Sequence, residues 1–170
     1  MKTKTILLGL FSALLVSAIA YVWITPRGIS HAPDISLKTL QGETIDLAGL
    51  QGKPVLVTFW ATYCPGCLKE MPHLIQLYKK LSPNGLEIIG ITTPQDRPDH
   101  VIAMTEAKQI PYPIALDIDG KVSQAFGNVR LTPTSFLIAP DGQIAHQKTG
   151  VLNMQKIQTL IETMLPVQTA

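Results

Sequence analysis

Residues 55–67 read VLVTFWATYCPGC. The first six of them are β-branched, aromatic and mostly apolar, which is typical of a strand that is covered on both of its faces. Cys64 and Cys67 follow the strand directly and are the only cysteines of the chain. This stretch therefore predicts a buried strand that runs straight into a pair of thiols.

A helix is predicted directly after the thiols, because apolar residues recur at helical spacing until the turn-forming run at 82–85 ends the pattern. These apolar residues are Leu68, Met71, Leu74, Ile75, Tyr78 and Leu81. Residues 86–92 then have the composition of a second buried strand. A strand, a helix and a strand of these lengths form a βαβ unit, with parallel strands and a right-handed crossover. The cysteines are thus expected at the carboxyl end of a central strand, where open α/β sheets place their ligand sites.

The remaining elements are predicted from turn residues and from apolar periodicity. In chain order they are a hairpin of 35–40 and 44–47, a helix over 98–109, a short strand over 114–116, a brief helix over 121–126, a hairpin of 135–139 and 143–148, and a final helix capped by Asn153. Together with the βαβ unit they indicate one α/β domain.

The amino-terminal segment Ile6–Thr25 carries no charge. As a helix, its length of roughly 30 Å matches the hydrocarbon core of a bilayer. Lys2 and Lys4 precede the segment and only Arg27 follows it closely, so the positive-inside rule keeps the amino terminus in the cytoplasm and exports the rest of the chain. The segment therefore predicts one transmembrane helix.

A cleaved signal peptide is the alternative, because Ala18-Ile19-Ala20 fits the small-residue rule for cleavage. An anchor is favoured, since cleavage there would leave an apolar run at 21–24 exposed, and Tyr21 and Trp23 suit a membrane interface. The predicted organisation is an anchor or signal peptide over residues 1–25, a linker over 26–33 and one folded domain over 34–170. Both alternatives export that domain.

The composition limits the remaining possibilities. The 170 residues, 46% of them hydrophobic, are enough for one core and leave little for a second domain. The formal net charge is only +2 and the basic residues are scattered, so no concentrated positive face for nucleic acid is expected.

The spacing of the two cysteines predicts redox chemistry. A thiol at a helix amino terminus faces unpaired backbone N–H groups and the positive end of the helix dipole, which stabilise its thiolate. Cys64 is therefore predicted to be the nucleophile. Cys67 lies three residues further on, so it can attack a mixed disulfide formed by Cys64 and release the substrate.

Three other interpretations of the cysteines are weaker. A structural disulfide stabilises a fold more when it closes a long loop, and this loop is nearly the shortest possible. A zinc site would need two more ligands, but His73 is the only histidine nearby in sequence and no paired ligand spacing is present. Two inert core thiols remain possible, although an exported chain favours disulfide chemistry.

Three motifs together resemble the thioredoxin superfamily: residues 59–67 (FWATYCPGC), 70–72 (EMP) and 131–134 (LTPT). The membrane-anchored TlpA, ResA and CcmG (DsbE) branch is the most similar. This resemblance covers roughly 34–165 and implies a thioredoxin-like three-layer sandwich, with a central mixed β-sheet, an N-terminal β-hairpin and an inserted helix and strand.

The resemblance also implies the roles of five further residues. Pro133 matches the cis-proline that faces the cysteines in the family, and with Thr132 it would offer backbone to the substrate; an ordinary trans turn is the alternative. Tyr63 and Trp60 would flank the site: Tyr63 would lie at the rim and contact substrate, and Trp60 would mainly pack in the core, with substrate contact as its second possible role. Glu70 would raise a thiol pKa and move protons, unless it is simply an exposed residue near a helix start.

One position departs from the resemblance. Thioredoxin itself has a buried aspartate where this chain has Thr58. Threonine does not titrate, so proton transfer to Cys67 would need Glu70, water or another acid.

The function implied by these residues is that of a thiol:disulfide oxidoreductase at the inner membrane, with its domain on the periplasmic side. We expect a reductase of protein disulfides that needs no metal and no cofactor besides the Cys64–Cys67 pair, and that is recharged by a membrane thiol-reducing donor. Apocytochrome c in cytochrome c maturation and misoxidised exported proteins are the substrates considered.

Three alternative functions remain open at this stage. A thiol oxidase or isomerase would use the same cysteines at a higher reduction potential. A thiol peroxidase would share the fold, but that family has a threonine where this chain has Ala61. A copper-carrying chaperone would bind metal with the pair, although related carriers use a wider cysteine spacing and a later histidine.

Overall fold

A computed structural model describes residues 13–17 and 29–166. Its strands are β1 (Ser36–Lys38), β2 (Thr44–Asp46), β3 (Val55–Trp60), β4 (Glu87–Thr92), β5 (Ile114–Leu116), β6 (Thr134–Ile138) and β7 (Ile144–Thr149). Its longer helical elements are α1 (Pro65–Leu81), α2 (Pro98–Ala107), α3 (Lys121–Ala125) and α4 (Met154–Met164). All the elements predicted for residues 35–165 are present, with ends that differ by a residue or two.

The central sheet is mixed and has the strand order β5-β4-β3-β6-β7. Strand β3 pairs in parallel with β4 and antiparallel with β6, and all six of its residues are buried. The predicted βαβ unit is therefore confirmed, and β3 is the central strand that leads to the cysteines. The hairpin of β1 and β2 forms a separate small sheet, which reaches β5 through a bridge between Thr39 and Ala115.

Two cores lie on the two faces of this sheet. On one face, Leu56 and Trp60 of β3 pack with residues of α1 and α4 such as Leu74 and Ile157. On the other face Phe59 makes edge-to-face contacts with Phe126 and Phe136, at centroid distances of 5.4 and 6.0 Å. The cysteines belong to the first core, and the aromatic cluster of the second core packs against the opposite face of β3.

Gly90 of β4 leaves the space that the indole of Trp60 occupies. A Cβ atom at this position would lie 2.5 Å from Cδ1 of Ile114 and 3.0 Å from Nε1 of Trp60. A side chain there would force these buried neighbours apart, which is costly in a close-packed core. The absence of a side chain at position 90 thus leaves room for the indole of Trp60 in the core that also contains the cysteines.

The predicted membrane helix lies outside the described residues, apart from a helical turn at 13–17. Among the described residues, none of the helices has the length and apolarity required to cross a bilayer. Residues 30–32 of the predicted linker pair with the turn between β6 and β7. In this pairing Ala32 donates a backbone hydrogen bond of 2.9 Å to Gly142, and Ile144 donates one of 2.9 Å to Ser30.

Candidate active site

The two cysteines form a disulfide at the amino terminus of α1, with their Cα atoms 5.3 Å apart. Cys64 is the N-cap residue of the helix, and its Sγ accepts a hydrogen bond of 3.1 Å from the backbone N–H of Cys67. The predicted placement at a helix mouth is confirmed. When the disulfide opens, this N–H and the helix dipole stabilise a thiolate on Cys64.

Pro133 faces the two residues between the cysteines, in the first turn of α1. The Thr132–Pro133 peptide bond is cis, as predicted. A Cβ atom on Gly66 would lie 3.3 Å from Cδ of Pro133 and 3.3 Å from Cγ2 of Val151, so glycine lets the two segments approach closely. The proposed contact of Thr132 and Pro133 with substrate stays a prediction.

The two aromatic residues that flank the cysteines have different surroundings. Tyr63 is 61% exposed, and its hydroxyl lies 3.3 Å from Oγ1 of Thr93. Trp60 is 4% exposed and packs beneath the pair. The packing role expected for Trp60 is therefore confirmed, and no appreciable part of its ring reaches the surface to contact substrate. Tyr63 remains at the rim, together with exposed Leu131 and Val151.

Glu70 is buried, with 2% of its surface exposed, so the alternative of an exposed residue near a helix start is wrong. One carboxylate oxygen, Oε2, accepts a hydrogen bond of 3.1 Å from the backbone N–H of Leu152. The other, Oε1, has no hydrogen-bond partner among the described residues. Burial raises the pKa of Glu70, and the Leu152 N–H and the charge of His73 oppose this rise only in part.

Glu70 and Cys67 line the same small cavity, of about 10 Å³. The polar or aromatic residues that complete its wall are Thr58, Trp60 and Tyr112. Burial and the neighbouring charge of Glu70 raise the pKa of Tyr112, which keeps its phenol neutral. Among the described residues that line this cavity, Glu70 is therefore the one carboxylic acid, and it shares the cavity with Cys67.

Thr58 occupies the position of thioredoxin's aspartate and is buried there. Its Oγ1 accepts a hydrogen bond of 3.0 Å from Oγ of Ser135 on the adjacent strand β6. Neither hydroxyl titrates in the physiological range, so this pair supplies no acid. The structure thus supports the inference that proton transfer at Cys67 cannot follow thioredoxin's route.

Several residues of the site were missed by the sequence analysis. Asp96 holds the loop before Cys64, Tyr112 closes the cavity, and Leu152 binds Glu70 from 82 residues away. None of them lies in a recognisable motif, and only the contacts across the fold reveal them. Among the described residues no group of three or more histidine, cysteine, aspartate or glutamate side chains could hold a metal ion.

Comparisons with known proteins agree with this geometry. A model of the AhpC/TSA family matches residues 30–147. The thiol-disulfide oxidoreductase ResA of Halalkalibacterium halodurans is 34% identical over 141 residues, which cover 82% of this chain and 78% of that protein. ResA of Bacillus subtilis is 31% identical over 141 residues, covering 83% of this chain and 78% of that protein.

The fold is also that of a solved relative. A thiol:disulfide interchange protein of the thioredoxin family from Chlorobium tepidum superposes with a TM-score of 0.73 at 27% identity, covering 82% of this chain and 98% of that one. The sequence match, the superposition and the cysteine pair at a helix mouth all indicate the same chemistry. The chain therefore belongs to the AhpC/TSA family, with a thioredoxin-like fold, and is a thiol-disulfide oxidoreductase of the ResA type.

Proposed function

We propose that this oxidoreductase works as a reductase of protein disulfides on the outer side of the cytoplasmic membrane. The observation that carries the proposal is the buried carboxylic acid of Glu70 beside the resolving cysteine. The uncharged segment Ile6–Thr25 supports the membrane location, and the similarity to ResA, which is named a thiol-disulfide oxidoreductase, supports the substrate class.

The proposed cycle starts from the dithiol form. The thiolate of Cys64 attacks one sulfur of a substrate disulfide, the substrate S–S bond breaks, and the departing thiolate takes up a proton. Cys67 then loses its proton and attacks Sγ of Cys64, which releases the second substrate thiolate. The substrate gains two electrons and two protons, and the enzyme is left with the Cys64–Cys67 disulfide.

Glu70 is proposed to handle the proton of Cys67 in the second step. Its Oε1 is free of other partners among the described residues, and its raised pKa keeps it able to accept and return a proton closer to neutral pH. The described residues that line the cavity around Cys67 include no other carboxylic acid that could take this proton. Glu70 would thus perform the acid–base work that the aspartate performs in thioredoxin.

The same environment favours reduction over oxidation of substrates. A strong oxidant such as DsbA owes its high potential to a stabilised thiolate in its reduced form. Here both cysteines are buried, and burial disfavours the charged thiolate form of either sulfur. The dithiol form is therefore less stabilised than in an oxidant, so the pair gives up its electrons more readily.

The reduction potential tests this direction. We expect a value closer to that of thioredoxin, about −270 mV, than to that of DsbA, about −120 mV. The domain would be equilibrated with thiol and disulfide buffers of known potential, and the dithiol fraction counted by alkylation and mass spectrometry. A potential near that of DsbA would show that the enzyme oxidises its substrates instead.

The substrates would be disulfides of exported proteins, with apocytochrome c before haem attachment as the specific candidate. The oxidised pair needs two electrons after each cycle, and an oxidising compartment provides no soluble source of them. A thiol-reducing protein of the membrane is the proposed donor. No metal or organic cofactor takes part in this scheme.

The membrane location makes its own prediction. The full chain, expressed in a bacterium with two membranes, should stay in the membrane pellet after alkaline extraction. After mild reduction its cysteines should react with an impermeant maleimide applied to cells with a permeabilised outer membrane. A variant that starts at residue 29 is the matched control and should react only after lysis. A mature amino terminus at Tyr21 would replace the anchor by a cleaved signal peptide, and labelling of the full chain only after lysis would contradict export.

Two alternatives lose support at this stage. A thiol peroxidase would require a threonine at position 61, where this chain has a buried alanine. A related copper carrier would have a wider cysteine spacing and a later histidine, and the described residues bring no group of three or more histidine, cysteine, aspartate or glutamate side chains together at the cysteines. The two ResA relatives described above are both named thiol-disulfide oxidoreductases.

A further inference from the structure

The side chain of Asp96 is bound to one residue of the loop that precedes the nucleophile. Asp96 lies between β4 and α2 and is 7% exposed. Its Oδ2 accepts a hydrogen bond of 2.6 Å from the backbone N–H of Thr62, and its Oδ1 accepts one of 2.7 Å from Oγ1 of the same residue. Both oxygens of a buried carboxylate are therefore used on a residue two positions before Cys64.

This contact fixes a turn that ends at the nucleophile. The backbone N–H of Cys64 donates a hydrogen bond of 3.1 Å to the carbonyl of Ala61, so residues 61–64 form a closed turn with Thr62 inside it. Tyr63 of the same turn reaches Thr93, and the N–H of Asp96 donates a hydrogen bond of 3.0 Å to the carbonyl of Thr93. The loop that carries Thr93 and Asp96 thus contacts the turn at two successive residues, Thr62 and Tyr63.

The redox cycle explains why the turn needs the hydrogen bonds between Thr62 and Asp96. In the oxidised form the bond to Cys67 fixes the position of the Cys64 sulfur covalently. In the dithiol form that bond is gone, and Sγ must still point at the N–H of Cys67 and at the axis of α1 for its thiolate to be stabilised. Hydrogen bonds to a charged acceptor are short and strong, and they hold the turn when the disulfide does not.

We propose that Asp96 is a positioning residue, which holds the turn of residues 61–64 through Thr62 and so keeps the Cys64 thiolate aligned with the amino terminus of α1. The inference goes beyond the proposed direction of the reaction and holds for reduction and oxidation alike. It rests on the proposed role of Cys64 as the nucleophile.

The chain offers variants that separate position from charge and from general stability. Asp96→Ala removes both hydrogen bonds. Asp96→Asn removes the charge but can keep both contacts, because its amide oxygen can accept from the Thr62 N–H and its NH₂ can donate to Oγ1. Thr62→Val removes only one of the two bonds. Asp117→Ala is the matched control, since buried Asp117 also binds the N–H and the hydroxyl of one residue. Its Oδ2 accepts hydrogen bonds from the N–H of Ser123, at 2.8 Å, and from the Ser123 hydroxyl, and its Oδ1 accepts one of 2.9 Å from the N–H of Val122 in α3.

The test measures the reaction of the fully reduced protein with an aromatic disulfide, and the alkylation of Cys64 by iodoacetamide as a function of pH, per folded molecule. We expect Asp96→Ala to react about 10-fold more slowly or worse, because small misplacements of a reacting group are costly. Its alkylation profile should move to higher pH, since the misplaced thiolate loses the N–H of Cys67. Asp96→Asn should stay near the wild type, and Thr62→Val should lie between them.

Two results would overturn the proposal. If Asp96→Ala is less stable but reacts like the wild type per folded molecule, as Asp117→Ala should, the role of Asp96 is purely structural. If Asp96→Asn is as slow as Asp96→Ala, or if both profiles move to lower pH, the charge of Asp96 matters and not its position. Cys64→Ser, which should not react with the probe, separates a failure of this inference from a wrong assignment of the nucleophile.

Discussion

Replacement of Cys64 by serine should lower disulfide exchange by more than about 10³-fold, since a hydroxyl cannot form the mixed disulfide on which the reaction depends. Replacement of Cys67 by alanine should act differently. Cys64 would still attack, but nothing would release the substrate, so the chain should accumulate as a covalent adduct.

Both variants are incubated with the same substrate and analysed by the same two methods. Nonreducing gels and intact mass should show adducts of Cys67→Ala with a protein disulfide, and dithiothreitol should release them. Cys64→Ser should give none. Adducts of Cys64→Ser in place of Cys67→Ala would reverse the roles of the two sulfurs. In the native host, the proteins held by Cys67→Ala are the substrates, and apocytochrome c among them would support that part of the proposal.

Replacement of Glu70 by glutamine should have the second large effect. The amide has nearly the same shape and can still accept the hydrogen bond from Leu152, but it cannot exchange a proton. General acid–base catalysis contributes at least about 10²-fold, so we expect a loss of this size in the step that releases the substrate. The first attack by Cys64 should change much less. Glu162→Gln, at an exposed glutamate of α4, is the matched control.

Rapid mixing of the reduced enzyme with a chromogenic mixed disulfide separates these two steps. In the wild type the release step should depend on pH through the ionisation of Glu70, and the variant should lose that dependence. Equal slowing of both steps, or an unchanged pH profile, would contradict the role of Glu70 as the proton carrier for Cys67.

The same variant tests the pKa of Glu70 through stability. Burial raises that pKa in the folded state, so between the unfolded and the folded value the native protein binds more protons than the unfolded chain. The free energy of unfolding of the wild type should therefore fall as the pH rises through this window. Glu70→Gln does not titrate at this position. The melting temperature of the variant minus that of the wild type, both in the oxidised form, should therefore increase from pH 4 to pH 8. A constant difference across this range would show that the pKa is not raised.

The elements of the fold could be predicted because their patterns are local. The apolar run of β3 and the helical spacing after it identify a βαβ unit within 40 residues of sequence, and that unit alone fixes where the cysteines lie. The turn residues at 140–142 identify the last hairpin in the same way. The cis bond at Pro133 was predicted from the resemblance to a family and not from any local pattern.

The surroundings of the site could not be predicted, because they depend on contacts between distant segments. Glu70 could equally have been exposed, and its burial follows from the loop before α4, which brings Leu152 onto its carboxylate. Trp60 suited both core packing and substrate contact, and Gly90 on the neighbouring strand makes room for it in the core. The partnership of Asp96 with Thr62 spans 34 residues and follows no motif.

By itself the sequence determined that the chain forms a strand, a redox pair and a helix in that order, since hydrophobic period and helix capping act over a few residues. Only the tertiary structure decided which acid stands next to Cys67 and which carboxylate holds the turn before Cys64. A side chain's exposure and its hydrogen-bond partners depend on whatever the rest of the chain packs against it, and that packing is settled by the fold as a whole.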